Sequence, residues 1–239
     1  MYRVGPLFNR ARNWYYLSDG LSYELWALRR MMRIIDISQE VFSCNVFPGD
    51  PAPEKVTLMK KSEGDVCNLS AFNMCAHNGT HVDAPFHFIN DGETIDQIDL
   101  ERFVGYAFVA AHDGPLTGAD AEEIIERAKR VGHANEKTVE AFKRILVKGK
   151  AVVTEEAAKV FADHQILLFG NESQTVGPED APMAVHMIML GARIVLLEGI
   201  RLAEAEEGVY LLNAAPLNLG GSDGAPCRAV LIDMGDNNS

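Results

Sequence analysis

Two spacings of apolar residues recur along this chain, and each predicts a different kind of element. Alternating or continuously apolar runs predict strands at 33–38, 55–61, 68–76, 105–112, 144–147, 166–169, 192–197 and 227–233. Apolar residues three or four positions apart predict helices at 120–132, 136–143, 154–162 and 183–190. The first helix opens with Asp120 and Glu123 at capping-box spacing. Strands and helices alternate through the middle of the chain, which predicts an α/β fold rather than a sandwich of sheets.

Residues 1–31 do not fit this plan. They carry early arginines and the cluster Trp14-Tyr15-Tyr16, without the clean apolar stretch that a secretory signal needs. The pair Met31-Met32 stands directly before the first strong strand. We therefore predict that residues 1–31 are an appendage outside the core, and that residues 32–239 form one domain.

Composition narrows the function without identifying it. The chain has 239 residues, 47% hydrophobic and 23% charged, as in ordinary globular proteins. Its net charge of −12 opposes contact with phosphate backbones, so we expect no nucleic-acid partner. No apolar run is long enough to span a membrane, and we expect no membrane partner. The four cysteines form no Cys-x-x-Cys pair, which favours free thiols and a cytoplasmic location.

Ionisable groups are concentrated between residues 77 and 88. His77, His81, Asp83 and His87 are all odd-numbered, whereas the apolar residues among them are even-numbered. Residues two apart in an extended chain point to the same side, so one face would carry every group able to bind a metal or move a proton. A buried histidine with a satisfied hydrogen bond is the simpler explanation for one such residue, but a poor one for all four.

This segment cannot be straight throughout. At about 3.3 Å per residue, His77 and His87 would lie roughly 33 Å apart if the chain were fully extended. Gly79 and Pro85 are therefore the predicted bends. His81 and Asp83 are close enough to share one metal, and a bend at Gly79 could bring in His77.

Two further ionisable residues lie within or at the end of apolar segments. His186 interrupts the last predicted helix, and Glu198 closes the strand that follows it. Burial of such a group without a partner costs several kcal/mol, so both should have partners. They could pair with each other, form salt bridges to Arg193 or Arg201, or complete the metal site begun near residue 77.

Two turn-forming segments could approach a ligand. Phe47 lies on the turn at 46–51, where it could line a substrate pocket or pack on a neighbouring surface. The segment 215–226 contains three glycines, which suggests a close backbone approach or a plain surface turn.

These motifs resemble the metal-dependent cyclase family, which includes bacterial kynurenine formamidases (arylformamidases) and isatin hydrolases. The central motif is His77-x-Gly-Thr-His81-x-Asp83-x-Pro-x-His87-Phe88. The family's opening resembles Asp36-Ile-Ser38 followed by Phe47-Pro-Gly-Asp50. The segment after its motif resembles Asp91-Gly92-Glu-Thr-Ile-Asp96, and its ending resembles Pro216 through Ala229. The resemblance covers about residues 32–235.

The resemblance implies a fold, an assembly and a set of metal ligands. The fold would be a single swivelling-type β/β/α domain, assembled as a homodimer or homotetramer. One metal would be held by His77, His81 and Asp83, and a second by Asp83, His186 and Glu198. Mixed nitrogen and oxygen ligands favour Zn²⁺, two per chain, with Mn²⁺ as the second choice.

The resemblance also assigns roles on the substrate side. His87 would be the proton donor and acceptor. Phe47 stands where the formamidases usually have a substrate-contacting tryptophan. The connection after strand 144–147 is shorter than in the family, and Asn171-Glu172-Ser173 replaces an Ile-Asp-Thr-like sequence. These three departures leave the identity of the small-molecule substrate open.

Three functions fit these features. The leading hypothesis is a metal-dependent hydrolase that cleaves an amide or formamide of a small aromatic molecule, as in tryptophan catabolism. The alternative is a cyclic-amide (isatin hydrolase-like) or lactone hydrolase, or a cyclase, with one metal. The third is a non-enzymatic binding domain whose metal shell would be closed to water. Serine hydrolase chemistry is disfavoured because the chain has no Gly-x-Ser-x-Gly elbow.

Overall fold

The computed structural model describes residues 32–234, so the predicted appendage at 1–31 lies outside the described residues. Thirteen strands and three α-helices form within this range. The strands are β1 (Arg33–Asp36), β2 (Glu54–Met59), β3 (Leu69–Asn73), β4 (His81–Asp83), β5 (Val104–Ala111), β6 (Gly114–Leu116), β7 (Arg144–Lys148), β8 (Ala151–Val153), β9 (Leu168–Asn171), β10 (Val195–Glu198), β11 (Gly208–Asn213), β12 (Gly224–Pro226) and β13 (Val230–Asp233). The helices are α1 (Gly118–Gly132), α2 (Glu155–Asp163) and α3 (Met183–Gly191).

Nine of these strands form one mixed sheet, in the order β1-β13-β11-β5-β7-β9-β10-β4-β12. The four central strands β5, β7, β9 and β10 run parallel, and the strands on either side pair antiparallel. The hairpin β2-β3 and the parallel pair β6-β8 form two small separate sheets. The α/β fold predicted from alternating strands and helices is confirmed. Among residues 32–234, no helix has the length and apolar character needed to cross a membrane.

Side chains of the central strands alternate between two apolar layers. Phe108 and Ala110 of β5 belong to the layer that contains the helices, whereas Ala107 and Val109 belong to the opposite layer. Both faces of these strands are therefore covered, which explains why they are continuously apolar in sequence. Full burial of each large side chain stabilises the fold by about 1.5–3 kcal/mol.

Some element boundaries differ from the sequence prediction. The capping box of α1 starts at Thr117, whose hydroxyl accepts from the backbone of Asp120 while the Asp120 carboxylate accepts from the backbone of Thr117. The helix predicted at 136–143 is wrong, because this segment is a series of turns ending in one short 3-10 helix. The Thr138 hydroxyl donates to the Gly132 carbonyl at 2.7 Å, which folds the chain back onto the end of α1.

Candidate metal centre

Ligand-type side chains converge where β4 lies between β10 and β12. The register places Glu198 of β10 opposite His81 of β4. His81 and Asp83 are two residues apart on β4, so their side chains point to the same face. Helix α3 brings His186 to within 3.6 Å of Asp83. A slip of one residue would turn His81 and Asp83 to the other face, so the strand pairing determines the site.

Both predicted bends are present, and they return the remaining histidines to this strand. Gly79 has φ +66°, in the left-handed region that favours glycine. Pro85 begins a short 3-10 turn that ends at His87. As a result the rings of His77 and His87 stack, with their centroids 4.0 Å apart.

Four of the predicted ligands form a buried cluster. His81, Asp83, His186 and Glu198 are each no more than 3% exposed. The Nε2 atom of His81 lies 3.4 Å from a carboxylate oxygen of Asp83 and 3.4 Å from one of Glu198. The Nε2 atom of His186 lies 3.3 Å from the other oxygen of Glu198 and 3.6 Å from the other oxygen of Asp83. A tetrahedral metal bound at about 2.0–2.2 Å separates its ligand atoms by roughly 3.3–3.6 Å, so this spacing fits a metal.

Backbone carbonyls orient the two buried imidazoles. His81 Nδ1 lies 3.0 Å from the Gly79 carbonyl oxygen, and His186 Nδ1 lies 2.8 Å from that of Pro182. A carbonyl oxygen can only accept, so each Nδ1–H donates. In the neutral imidazole, Nε2 then has its lone pair directed at the carboxylates, which is the tautomer that a metal ligand needs. The donor set therefore fits a divalent cation.

His77 connects this cluster to a carboxylate that the sequence did not single out. Its Nδ1 lies 2.9 Å from Asp83 Oδ1, and its Nε2 lies 2.8 Å from Asp223 Oδ2. The same Asp223 oxygen lies 3.0 Å from His87 Nδ1. One carboxylate thus holds both stacked rings.

The glycine-containing segment at 215–226 closely approaches β4, as its composition suggested. A Cβ atom on Gly224 would lie 2.7 Å from the Val82 carbonyl oxygen and 2.8 Å from the His77 ring. Glycine at this position lets the segment pack onto β4, which places Asp223 beside the histidines. The signal for Asp223 was therefore its position next to this glycine.

His87 lies on the accessible side of the cluster. Its side chain is 28% exposed, compared with 1% for Asp83. Because Nδ1 faces Asp223, Nε2 is the nitrogen that remains for a substrate. The structure therefore separates the buried ligand-type groups from one histidine that solvent can reach.

The carboxylates draw protons towards the imidazoles. Burial opposes a charged His77, but hydrogen bonds to Asp223 and Asp83 outweigh it and raise the pKa of His77 to about 11. Burial also opposes a charged His81, and hydrogen bonds to Asp83 and Glu198 raise its pKa to about 9. Burial would raise the pKa of Asp83, yet its hydrogen bonds with His77 and His81 hold that pKa well below its usual range. The site therefore stabilises positive charge, from protons or from a metal.

The arginine partners considered for His186 and Glu198 are engaged elsewhere. Arg193 binds the Glu93 carboxylate, and the Arg201 guanidinium donates to backbone carbonyls. Glu198 accepts instead from the Val176 backbone N–H at 2.8 Å. The contact between His186 and Glu198 is thus part of the buried cluster.

Phe47 lies apart from this cluster, in the wall of a cavity of about 340 Å³. Pro48, Gln174 and Thr175 line the same cavity. Thr175 directly precedes Val176, whose N–H binds Glu198, so the cavity adjoins the cluster through this segment. The other six predicted site residues, by contrast, are brought together around β4.

Comparison with known proteins identifies the family. The model of the Cyclase family matches residues 35–178. The chain belongs to this family. Among its cyclase-family relatives, the kynurenine formamidase of Salinibacter ruber is 32% identical over 219 residues, covering 86% of this chain and 100% of that protein.

Solved structures agree with this membership. The structure of a potential metal-dependent hydrolase with cyclase activity is 26% identical, with a TM-score of 0.68, and the match covers 84% of this chain and 98% of that one. Isatin hydrolase A from Labrenzia aggregata has the same fold, with a TM-score of 0.69 at 21% identity, over 90% of this chain and 100% of that one. The cyclase-family fold therefore spans the part of the chain that carries the cluster.

Proposed function

We propose that this cyclase-family protein is a metal-dependent hydrolase that cleaves the C–N bond of an amide or formamide in a small aromatic molecule. The observation that carries the proposal is the buried cluster of imidazoles and carboxylates with one accessible histidine beside it. At the level of reaction class, the predicted hydrolysis of amide C–N bonds is confirmed by the kynurenine formamidase relatives. A formamide substrate of the kynurenine type would connect the enzyme to tryptophan catabolism.

The metal ligands we propose are those implied by the sequence motif. His77, His81 and Asp83 would hold one ion, and Asp83, His186 and Glu198 would hold a second. The two oxygens of Asp83 support this arrangement, because Oδ1 faces His77 and His81 while Oδ2 faces His186. The mixed nitrogen and oxygen donors favour Zn²⁺ over Mn²⁺. A bound divalent metal lowers the pKa of its water from about 15.7 to about 7 and polarises the substrate carbonyl.

His87 and Asp223 form the proposed acid–base pair. Amide hydrolysis requires a proton to be taken from the attacking water and delivered to the leaving nitrogen. His87 Nε2 would do both, and the contact of Nδ1 with Asp223 at 3.0 Å supports this role because it leaves Nε2 for the substrate. The Asp223 carboxylate orients the ring and stabilises the imidazolium that forms after the first proton transfer.

The direct test is hydrolysis of N-formylkynurenine by protein loaded with zinc, against the same protein treated with EDTA. We expect kynurenine to form only in the zinc-loaded sample, and zinc added back to the treated sample should restore the reaction. Absence of metal-dependent formamide cleavage would contradict the formamidase assignment.

A cyclic-amide or lactone hydrolase with one metal is the second candidate. The isatin hydrolase fold supports it. Metal analysis distinguishes the candidates, since one ion per chain that Glu198 does not bind would favour the cyclic-amide reaction. A non-enzymatic binding domain is the least favoured function, because it gives no role to the accessible pair of His87 and Asp223.

We also propose a homodimer or homotetramer in the cytoplasm. The hairpin β2-β3 supports assembly, because Val56 and Leu58, which lie two residues apart on β2, are 40% and 56% exposed. A two-stranded hairpin is marginally stable in water by itself, and a second copy could cover this apolar surface. Free thiols at all four cysteines support the cytoplasmic location. Sedimentation measurements on the purified protein test the assembly.

A further inference from the structure

Two glycines flank the buried cluster on the chain. Gly79 stands two residues before His81, and Gly199 directly follows Glu198. Both have left-handed backbone, with φ values of +66° and +68°. A Cβ atom on Gly199 would lie 2.3 Å from the Gly79 carbonyl oxygen, so only glycine allows the two backbones to approach this closely.

Two glutamine side chains connect the carbonyls of these glycines. Gln174 Nε2 donates to the Gly79 carbonyl at 3.0 Å. Gln39 Nε2 donates to the Gly199 carbonyl at 2.8 Å and to Gln174 Oε1 at 2.7 Å. The two amides therefore form a continuous link from one glycine to the other, which we call the glutamine bracket.

The bracket acts on the same carbonyl that orients a ligand-type histidine. The Gly79 carbonyl accepts from His81 Nδ1 at 3.0 Å as well as from Gln174. At the other end, the Gly199 carbonyl also accepts from the Thr80 hydroxyl at 2.8 Å. The backbone beside both His81 and Glu198 is thus held from outside the cluster.

We propose that Gln174 and Gln39 are positioning residues that set the geometry of His81 and Glu198 for metal binding. Neither glutamine contacts the ligand atoms that face the metal, so both act through the glycine carbonyls. The inference rests on the proposed function, because positioning of this kind matters only if the cluster binds a metal. Outer-shell partners of metal ligands typically alter metal affinity or activity by about 10–100-fold.

The experiment compares Gln174→Met with Gln97→Met in the full-length chain. Methionine keeps the length of glutamine and removes its amide. Gln97 is a matched control, because its side chain accepts from the Thr94 backbone at 3.1 Å and is not part of the bracket. Co²⁺ is the probe, measured by titration and by the visible absorption of the bound ion. We expect Gln174→Met to bind Co²⁺ about 10–100-fold more weakly with an altered spectrum, and Gln97→Met to match the unaltered chain.

Gln174→Glu provides a second route if the methionine variant does not fold. Glutamate preserves the acceptor for Gln39, but its carboxylate cannot donate to the Gly79 carbonyl. It should therefore weaken Co²⁺ binding and alter the cobalt spectrum as well. Melting temperatures after EDTA treatment check that each variant is folded, and a role in folding alone would leave the cobalt spectrum unchanged.

The outcomes separate this inference from the proposed function. If the unaltered chain binds Co²⁺ and both Gln174 variants bind it with the same affinity and spectrum, the bracket has no positioning role and the proposed function stands. If the unaltered chain binds no Co²⁺, the proposed function is overturned together with the bracket.

Discussion

The buried cluster and the β2-β3 hairpin differ in what they bury. In the cluster, the carboxylates of Asp83 and Glu198 are almost completely buried, and both contact His81 of the same chain. In the hairpin, apolar side chains such as Leu58 and Phe72 are more than half exposed. Buried charges need partners at once, because an unpaired one costs several kcal/mol. Exposed apolar groups lack only the stabilisation that burial would give, so a second copy of the chain can bury them later.

The largest expected effect comes from removing the carboxylate that the cluster shares. Asp83→Ala takes away the oxygens that contact His77, His81 and His186. We expect zinc binding to weaken by more than the roughly 100-fold typical of an outer partner, and metal-dependent turnover to be lost. Metal content after dialysis and hydrolysis assays measure both effects. Asp91 is exposed, so Asp91→Ala serves as the control and should retain metal and activity.

The next effect separates chemistry from metal binding. His87→Ala should keep its zinc, because His87 lies outside the buried cluster, yet its turnover should fall by about 10²–10⁴-fold. Asp223→Asn keeps the shape of the side chain but cannot stabilise an imidazolium. Because His87 itself remains, this variant should lose less turnover than His87→Ala. Steady-state kinetics on zinc-loaded protein measure both changes. A fully active His87→Ala would remove the role assigned to that residue.

A charged substitution tests whether the β2-β3 hairpin forms the contact between copies. Leu58→Glu places a carboxylate on the exposed apolar face and should shift the protein towards monomers while each chain remains folded. Val131→Glu is the control, because Val131 is 45% exposed on α1, away from the hairpin. Sedimentation velocity reports the change, and an unchanged assembly in both variants would exclude the hairpin as the contact.

Metal removal should make stability sensitive to alkaline pH. The pKa values of His77 and His81, about 11 and about 9, lie above the ordinary 6.5. The folded protein therefore binds more protons than the unfolded chain in this range, and this stabilisation is complete below pH 6.5 and lost as pH rises through 9 towards 11. We expect the melting temperature of EDTA-treated protein to fall between pH 7 and pH 9.5, and zinc to suppress most of that fall. A melting temperature that rises over this range without zinc would contradict the assignment.

The smallest expected effect concerns the amino terminus. A chain that begins at Met32 should match the full-length protein in melting temperature and activity, if residues 1–31 are an appendage. Loss of soluble protein on this truncation would contradict the predicted boundary.

Local pattern picked out the residues of the cluster, but the resemblance to the cyclase family was needed to join them into one site. The alternation of His81 and Asp83 with apolar residues predicted a shared face, and Gly79 and Pro85 predicted the bends. His186 and Glu198 stood out because an ionisable residue among apolar ones implies a partner, but only the family resemblance assigned them to the same site as His81 and Asp83. The shared face and the bends depend on residues close together in the chain, and the need for a partner depends on the cost of burial. Both effects can be recognised in the sequence.

Asp223 and Gln174 could not be found in the same way. Both are polar residues in loop segments, where polar residues are expected and cost nothing. Their positions beside His87 and Gly79 follow from tertiary packing across more than ninety residues. The wrong helix at 136–143 has a different cause, since the hydrogen bond of Thr138 to Gly132, only six residues away, overrides the helical spacing. Sequence spacing predicts side-chain direction well, but it does not predict which loops meet.

The pairing of β4 between β10 and β12 has a consequence for biosynthesis. Of these three strands the ribosome makes β4 first, β10 more than a hundred residues later, and β12 last. A nascent chain cannot place Glu198 opposite His81 until residue 198 has been made. Early in translation, His77, His81 and Asp83 would offer only an open and weak site. A metal that needs ligands from both β4 and β10 would therefore be bound only after β10 has been made.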